Sequence, residues 1–368
     1  MSARQDGLSR SISDSSGTLG YGSSGTSPGA TSIEPTHARK PTLHLIGVGP
    51  VGRQFLAQLD TTLVTLVGVT DSTATVHDRA GLSATQIAAH KAAGGTCAQL
   101  DGAESLPSEL AVELVAADIV VDATRTEFRS PGPALRRCSA ALRTGAHLVL
   151  ASKHALCAAA PELLAPPHGE RIGYSAVLGG TGRALRHDRD LLRRARSIAL
   201  VPNASTTTVL QAVERGATLD AGIAFAQARG LLEADPSLDL DGSDALGKLV
   251  IVAGALWGVA PTAAVVTRTD LRTLDLDVVR ARHAEGLTTR LVARGTPDGL
   301  LQVDYEAVDR SSPLWTPPDR VVYAYQSNAS KHLAAGWRVH VGHGVGPVGT
   351  AQALHDDVRD FVALRGAR

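Results

Sequence analysis

The chain has 368 residues, and its Lys+Arg and Asp+Glu counts cancel at 36 each, so it lacks the basic balance that marks partners such as nucleic acid or an anionic membrane. Its three cysteines (Cys97, Cys138 and Cys157) are odd in number and widely spaced, which argues against a disulfide framework and fits a reducing compartment. No apolar run reaches the ~18 residues needed to span a bilayer, and the N-terminus lacks a secretory apolar core; the expectation is a soluble, cytoplasmic chain of two domains.

Residues 1–39 are rich in Ser, Gly, Thr and Pro and read as a disordered tail, because such a segment buries too little to offset its ordering entropy. From 40 to 175 strands alternate with helices. The strands are Thr42–Ile46, Leu63–Thr70, Asp118–Ala123 and His147–Ala151, and the helices begin near Arg53, Ser83 and Pro133. That alternation predicts a parallel sheet with right-handed crossovers. Residues 176–343 have another texture. Helices are expected over about 183–195, 206–215, 219–229 and 243–257, followed by alternating runs at 287–293 and 300–307. The fold class is therefore α/β, a Rossmann-type parallel sheet domain followed by an α+β catalytic and dimerisation domain. A last helix within 344–366 is expected to return to the first domain.

Gly47-x-Gly49-x-x-Gly52 follows the first strand and opens a helix. In that context the glycines allow a tight turn, close approach of a pyrophosphate and close helix–strand packing, while the helix N-terminus favours negative charge. Asp71, nineteen residues after Gly52 at the end of the second strand, is placed to bond a ribose 2′-hydroxyl. It favours NAD, although nearby Arg79 offers a partner for the phosphate of NADP. The choice between the two stays open.

The stretch from Gly230 to Lys248 holds five carboxylates and one lysine, then runs into the apolar Leu249–Leu256. Only five lysines stand against thirty-one arginines in the chain. A lysine can exchange its proton under the influence of burial and neighbours, which an arginine in practice cannot. Asp244 and Lys248 lie four apart on one helix face. An exposed pair of that kind is worth only ~0.3–0.5 kcal/mol, but the apolar run after Lys248 places this helix in a core. Cys157 lies in an alanine-rich helical run and reads as packing rather than a nucleophile. His340 and His343 have no third ligand nearby, so catalytic zinc is not expected.

These motifs, in order and spacing from about Leu43 to Leu364, resemble homoserine dehydrogenase. Val120-Val-Asp-Ala-Thr124 and Gly145-Ala-His-Leu-Val-Leu-Ala-Ser-Lys153 are similar to the family's strand motifs. Glu233-Ala-Asp-Pro-Ser-Leu-Asp239-Leu-Asp-Gly-Ser-Asp244-Ala-Leu-Gly-Lys248 is similar to its signature, and Gly342–Ala351 to its closing turn. The resemblance implies that Glu233, Asp239 and Asp244 bind the substrate and that Gly230 lines the pocket. It implies that Lys248 transfers the proton with Asp244 beside it, and that Lys153 is a second lysine between cofactor and substrate. Gly47, Gly49, Val51, Gly52, Asp71, Thr124, Lys153 and Gly344 would hold NAD or NADP. A monovalent cation (Na+ or K+) would sit on backbone carbonyls of Ser175, Leu178, Gly180 and Gly182.

The sequence departs from the family pattern at Ser175, Arg183 and Ser152, and Asn203-Ala-Ser205 replaces a glycine-containing turn. A left-handed backbone there would be strained. The implied reaction is the interconversion of L-homoserine and L-aspartate 4-semialdehyde, towards threonine and methionine, by a homodimer without a kinase or regulatory domain. Two rivals remain. One is a dehydrogenase of another small amino or hydroxy acid, favoured by an Arg183 facing the substrate and disfavoured by an exposed one. The other is a catalytically silent NAD(P)-binding sensor.

Overall fold

Five buried residues, Thr42–Ile46 (β1), form the first strand of the computed structural model, which describes residues 39–126, 130–232, 235–328, 336–343 and 346–366. The tail expected over 1–39 thus falls outside the described residues except for Arg39, and so do Glu233 and Gly344. Around β1 stand Thr65–Thr70 (β2), Thr75–His77 (β3), Ile119–Asp122 (β4), His147–Leu150 (β5) and Ile172–Gly173 (β6). The sheet order is β3-β2-β1-β4-β5-β6, parallel throughout except for β3, which pairs antiparallel with β2. The chain leaves β1 towards β2 on one side and β4 lies on the other, and a crevice opens at the carboxyl ends of a parallel sheet at such a switch point.

A second sheet comprises Ala195–Val201 (β7), Val265–Arg268 (β8), Thr288–Gly295 (β9), Leu300–Val308 (β10), Val321–Ser327 (β11) and Gly336–Gly342 (β12), in the order β12-β11-β7-β9-β10-β8. It is antiparallel except for the β10–β8 pair. Here the structure corrects the sequence reading. The helix expected over 183–195 is two short helices, Gly182–His187 and Arg189–Leu192, which lead into β7 near the middle of the sheet. Ile198–Val201 is wholly buried, and a short apolar run of this kind has no period that separates strand from helix. Strands β3, β11 and β12 and the helix Ser108–Val115 also lie beyond that reading.

The helix Ser243–Trp257 runs between two left-handed glycines, Gly242 (φ 76°) and Gly258 (φ 70°). It is buried on most sides and packs against the helix His154–Leu163, close enough that a Cβ on Gly254 would lie 2.8 Å from that of Ala160. This contact matters for the site, because Lys153 is the N-cap of one helix and Asp244 and Lys248 sit in the first two turns of the other. The final helix, Gly346–Gly366, lies on Pro50–Ala57, where His355 stacks on Phe55 at 4.2 Å and donates to its carbonyl. Among the described residues no helix is long and apolar enough to cross a membrane.

Candidate active site

The turn after β1 shows why each glycine is there. Gly47 has φ +91°, and a Cβ on it would come within 2.7 Å of the backbone of Ala123 and Thr124 at the end of β4. A Cβ on Gly52 would fall 2.0 Å from the carbonyl oxygen of Gly47, whereas one on Gly49 would meet nothing within 4 Å. Two glycines therefore close the turn onto its own fold, and the third leaves open space. The helix Pro50–Ala57 that follows has Pro50 at its first position, half-buried Val51 next, and no side chain capping it. Its first N–H groups have no intrahelical partners, so a phosphate approaching over Gly49 would meet unopposed donors. Gly52→Ala is expected to weaken nucleotide binding about 10-fold or more, since the turn must open to admit the methyl group; the check is NAD(P)H fluorescence titration of the folded variant.

Asp71 lies at the expected strand end, but its carboxylate is engaged. Oδ1 accepts from the backbone N–H and hydroxyl of Thr73 at 2.8 and 2.6 Å, and Oδ2 from Lys91 at 2.5 Å and Cys97 N at 2.9 Å. Burial works against its charge, yet the bonds from Lys91 and Thr73 hold it well below the usual carboxylate range. Arg79 is exposed beyond β3. Thr124 is likewise tied down, its hydroxyl donating to Asp122 Oδ1 at 2.6 Å and accepting from Arg137 at 3.0 Å.

Asp244 is the centre of the charged cluster. Its Oδ1 meets Lys153 Nζ at 3.1 Å and its Oδ2 meets Lys248 Nζ at 2.9 Å, so one carboxylate bridges a lysine at the carboxyl edge of the first sheet and a lysine of the buried helix. Burial opposes ionisation of Asp244, but the two lysines hold it well below the usual carboxylate range. For Lys153 burial also opposes the charge, and Asp244 more than offsets it, raising the pKa above that of an ordinary lysine. Lys248 also donates to Pro202 O at 2.7 Å and to Asn203 Oδ1 at 3.1 Å. Asn203 in turn donates from Nδ2 to Asp239 Oδ1 at 3.1 Å, and Ser205 donates to the same oxygen at 2.5 Å.

Burial and the like charge of Asp244 push Asp239 up to about 6, against the bond from Ser205 and the two lysines. An acid whose folded-state pKa is raised binds more protons folded than unfolded, so its ionisation destabilises the fold as pH rises from about 4 towards 6 and beyond. Asp239→Asn keeps the acceptor oxygen and removes that charge. The expected result is a higher Tm above pH 6, by an amount equivalent to roughly 1–3 kcal/mol, with a flatter dependence of Tm on pH between 4 and 7. Thermal melts of both proteins across that range check it.

Lys153, Asp239, Asp244 and Lys248 thus come together, and Gly230 is a left-handed turn residue (φ 68°) after the helix Leu219–Ala228. The sequence reading did not single out Asn203 or Ser205 as site residues. They were read as a strained turn, and the structure overturns that: the only non-glycine residue with positive φ among the described residues is Ala116, while Ala204 begins the helix Ala204–Glu214. Asn203 is the extended N-cap of that helix (φ −124°), and its side chain links Lys248 to Asp239. The adjoining Asp239 and Lys248 were the signal available in the sequence, but nothing local places them opposite position 203.

The 175–182 loop is closed on itself. Ser175 O accepts from Leu178 N at 3.2 Å and Gly180 N at 2.7 Å, and Leu178 O accepts from Thr181 N and Oγ1 at 3.2 and 2.8 Å. Gly182 packs so that a Cβ would lie 2.5 Å from Tyr174 O. Two of the four carbonyls that the resemblance assigns to a cation, those of Ser175 and Leu178, thus each accept two hydrogen bonds within the loop. Arg183 is half-exposed and paired with Asp360 at 2.7 Å, which counts against a substrate carboxylate there. Burial pushes the Cys157 thiol up to about 12, against the nearby Lys153, so it stays protonated. His340 bonds Asp188 at 3.1 Å, and no three His, Cys, Asp or Glu side chains among the described residues gather as a metal site.

The family model described as homoserine dehydrogenase matches residues 184–358. The homoserine dehydrogenase of Methanocaldococcus jannaschii is 26% identical over 299 residues, 80% of this chain and 87% of its own. The NAD(+)-dependent homoserine dehydrogenase of Pseudomonas canavaninivorans is 29% identical over 284 residues, 72% and 80% of the two chains. Among solved structures, the fold matches a hyperthermophilic archaeal homoserine dehydrogenase in complex with NADPH, with a TM-score of 0.69, 22% identity and coverage of 88% and 98%. The Thermoplasma acidophilum homoserine dehydrogenase gives the same TM-score and identity, with coverage of 87% and 98%.

Proposed function

We infer, from a chain that belongs to the homoserine dehydrogenase family, an NAD(P)-dependent interconversion of L-homoserine and L-aspartate 4-semialdehyde. The single observation that carries this reading to the residues is the Asp244 carboxylate held between Lys153 and Lys248. Oxidising the alcohol requires hydride loss to the nicotinamide and proton loss from the hydroxyl in one geometry. NAD(P) supplies the hydride chemistry when bound, and the open space over Gly49 beside an uncapped helix N-terminus fits its pyrophosphate.

The chain's own residues do the rest. Lys248 has its three N–H donors directed to Asp244, Pro202 and Asn203, which uses the full donor capacity of an ammonium. It is a fixed cation. Lys153 has Asp244 as its one side-chain partner in the cluster, so it keeps donors for the substrate oxygen, and we assign it the proton transfer. The resemblance implies Lys248 for this role, whereas the residues read from the sequence leave either lysine able to fill it. Asp239, with Glu233 of the same segment, supplies negative charge for the substrate ammonium.

Residues 40–175 are read as the nucleotide-binding domain and 176–343 as the substrate-binding and dimerisation domain of a cytoplasmic homodimer in threonine and methionine synthesis. No step is routed through a monovalent cation. The test is formation of NADH and NADPH from L-homoserine at alkaline pH by the full chain. Turnover that is lost in Asp244→Ala supports the reading and identifies the preferred nucleotide. Nucleotide binding without turnover on L-homoserine would overturn it.

A further inference from the structure

A cleft apart from the active site contains an arginine that the reaction does not use. Arg290, on β9, is the largest fully buried side chain among the described residues, its side chain 1% exposed. Its Nη1 donates to Thr289 O at 2.8 Å and stands 3.5 Å from Glu214 Oε1, an oxygen already taken at 2.6 Å by Thr289 N. Its Nε is buried with no partner. A buried guanidinium with an unmet donor is a costly group that calls for an explanation.

Arg290 lines a cavity of about 250 Å³ bounded by the end of the helix Ala204–Glu214, the start of β9 and the 310–318 loop. Arg215, His283 and Arg310 stand at its exposed rim, and none of the three has an ion pair among the described residues. Glu214 is the one carboxylate in the lining, and Trp315 presents a half-exposed ring to the same space. None of Lys153, Asp239, Asp244 and Lys248 lines it.

We propose that this cleft binds a small organic carboxylate, its oxygens on Arg290 and Arg310 and its carbon frame against Trp315. The planar guanidinium fork matches a carboxylate. Glu214 beside Arg290 lowers the positive charge of the floor, so a carboxylate suits it better than a phosphate dianion, whose second charge would face Glu214. The volume, several times that of one water, suits a metabolite rather than an ion alone.

The experiment is titration of the full-length protein with succinate, followed by tryptophan emission and by calorimetry, at an ionic strength held constant with NaCl. The expected result is a saturable change that persists in Lys248→Met, with affinity reduced about 10-fold or more in Arg290→Gln and Arg310→Ala. In Trp315→Phe the emission change should vanish while calorimetric binding remains. Arg310→Ala, at an exposed position, keeps the test decisive where Arg290→Gln does not fold. A linear response that NaCl alone reproduces would overturn the proposal, as would equal affinity in Arg310→Ala or loss of binding in Lys248→Met. Tighter binding of inorganic phosphate than of succinate would overturn the assignment to carboxylates.

Discussion

Lys153→Met is expected to lower kcat for L-homoserine oxidation by about 10²–10⁴-fold, the usual scale for removing a positioned acid–base group, with a much smaller change in KM. Lys248→Met should act differently. Lys248 holds Pro202, Asn203 and Asp244 together, and through Asn203 it fixes Asp239. Its loss leaves Asp244 beside Asp239 with one cation instead of two. The like-charge repulsion that already raises Asp239 then grows, so KM should rise together with the fall in kcat, and Tm should drop. Steady-state kinetics and melting curves on both variants separate the two roles. A Lys153→Met enzyme with near-normal kcat, or a Lys248→Met enzyme with unchanged KM and Tm, would reverse the assignment.

The pH profile carries the same assignment. Asp244 raises the pKa of Lys153, so the neutral amine that can accept a proton from the alcohol forms only above the usual lysine range. Oxidation should therefore keep accelerating into strongly alkaline solution. Reduction of the aldehyde, which needs the ammonium as acid, should proceed below that pKa without such a rise. In Asp244→Asn the alkaline limb of the oxidation profile should move to lower pH, because the anion that stabilises the Lys153 ammonium is gone.

The first sheet and the nucleotide turn were legible in the sequence because their signals are local. A glycine that needs φ +91°, a glycine whose Cβ would strike its own turn and an all-buried strand before them leave marks within a dozen residues. The pairing of Asp244 with Lys248 was legible for the same reason, being one helical turn apart. The missed parts depend on distant partners. Strand β7 is specified by its neighbours β9 and β11 rather than by its own pattern. Asn203 acquires its role only when Ala204–Glu214 and Ser243–Trp257 meet. Asp71 shows the converse: its position at the strand end was read correctly, but Lys91 and Cys97, twenty or more residues away, claim the carboxylate that the sequence left free.

Asp122 ties this architecture to the chemistry, and Asp122→Ala is the stability change with the largest expected size. Its Oδ2 meets Arg137 Nε at 2.9 Å in a pair buried on both sides, and its Oδ1 accepts from Thr124 N and Oγ1 at 3.0 and 2.6 Å. Its backbone oxygen receives Ala151 N at 2.9 Å, which joins the end of β4 to the strand end that precedes Lys153. Removing the carboxylate leaves the Arg137 guanidinium buried without its counter-charge, a change that typically costs about 3–5 kcal/mol. It also takes from Thr124, beside Gly47, the acceptor of its N–H and hydroxyl. Thermal melts should show a large drop in Tm, and the surviving folded protein should bind nucleotide more weakly. Asp122→Leu combined with Arg137→Met removes both charges and should recover most of the stability, because paired apolar side chains of similar volume often match a buried ion pair. It should not recover nucleotide affinity, since Thr124 still lacks its acceptor. Recovery of both together would mean that the ion pair serves the core alone and that the end of β4 is positioned by other contacts.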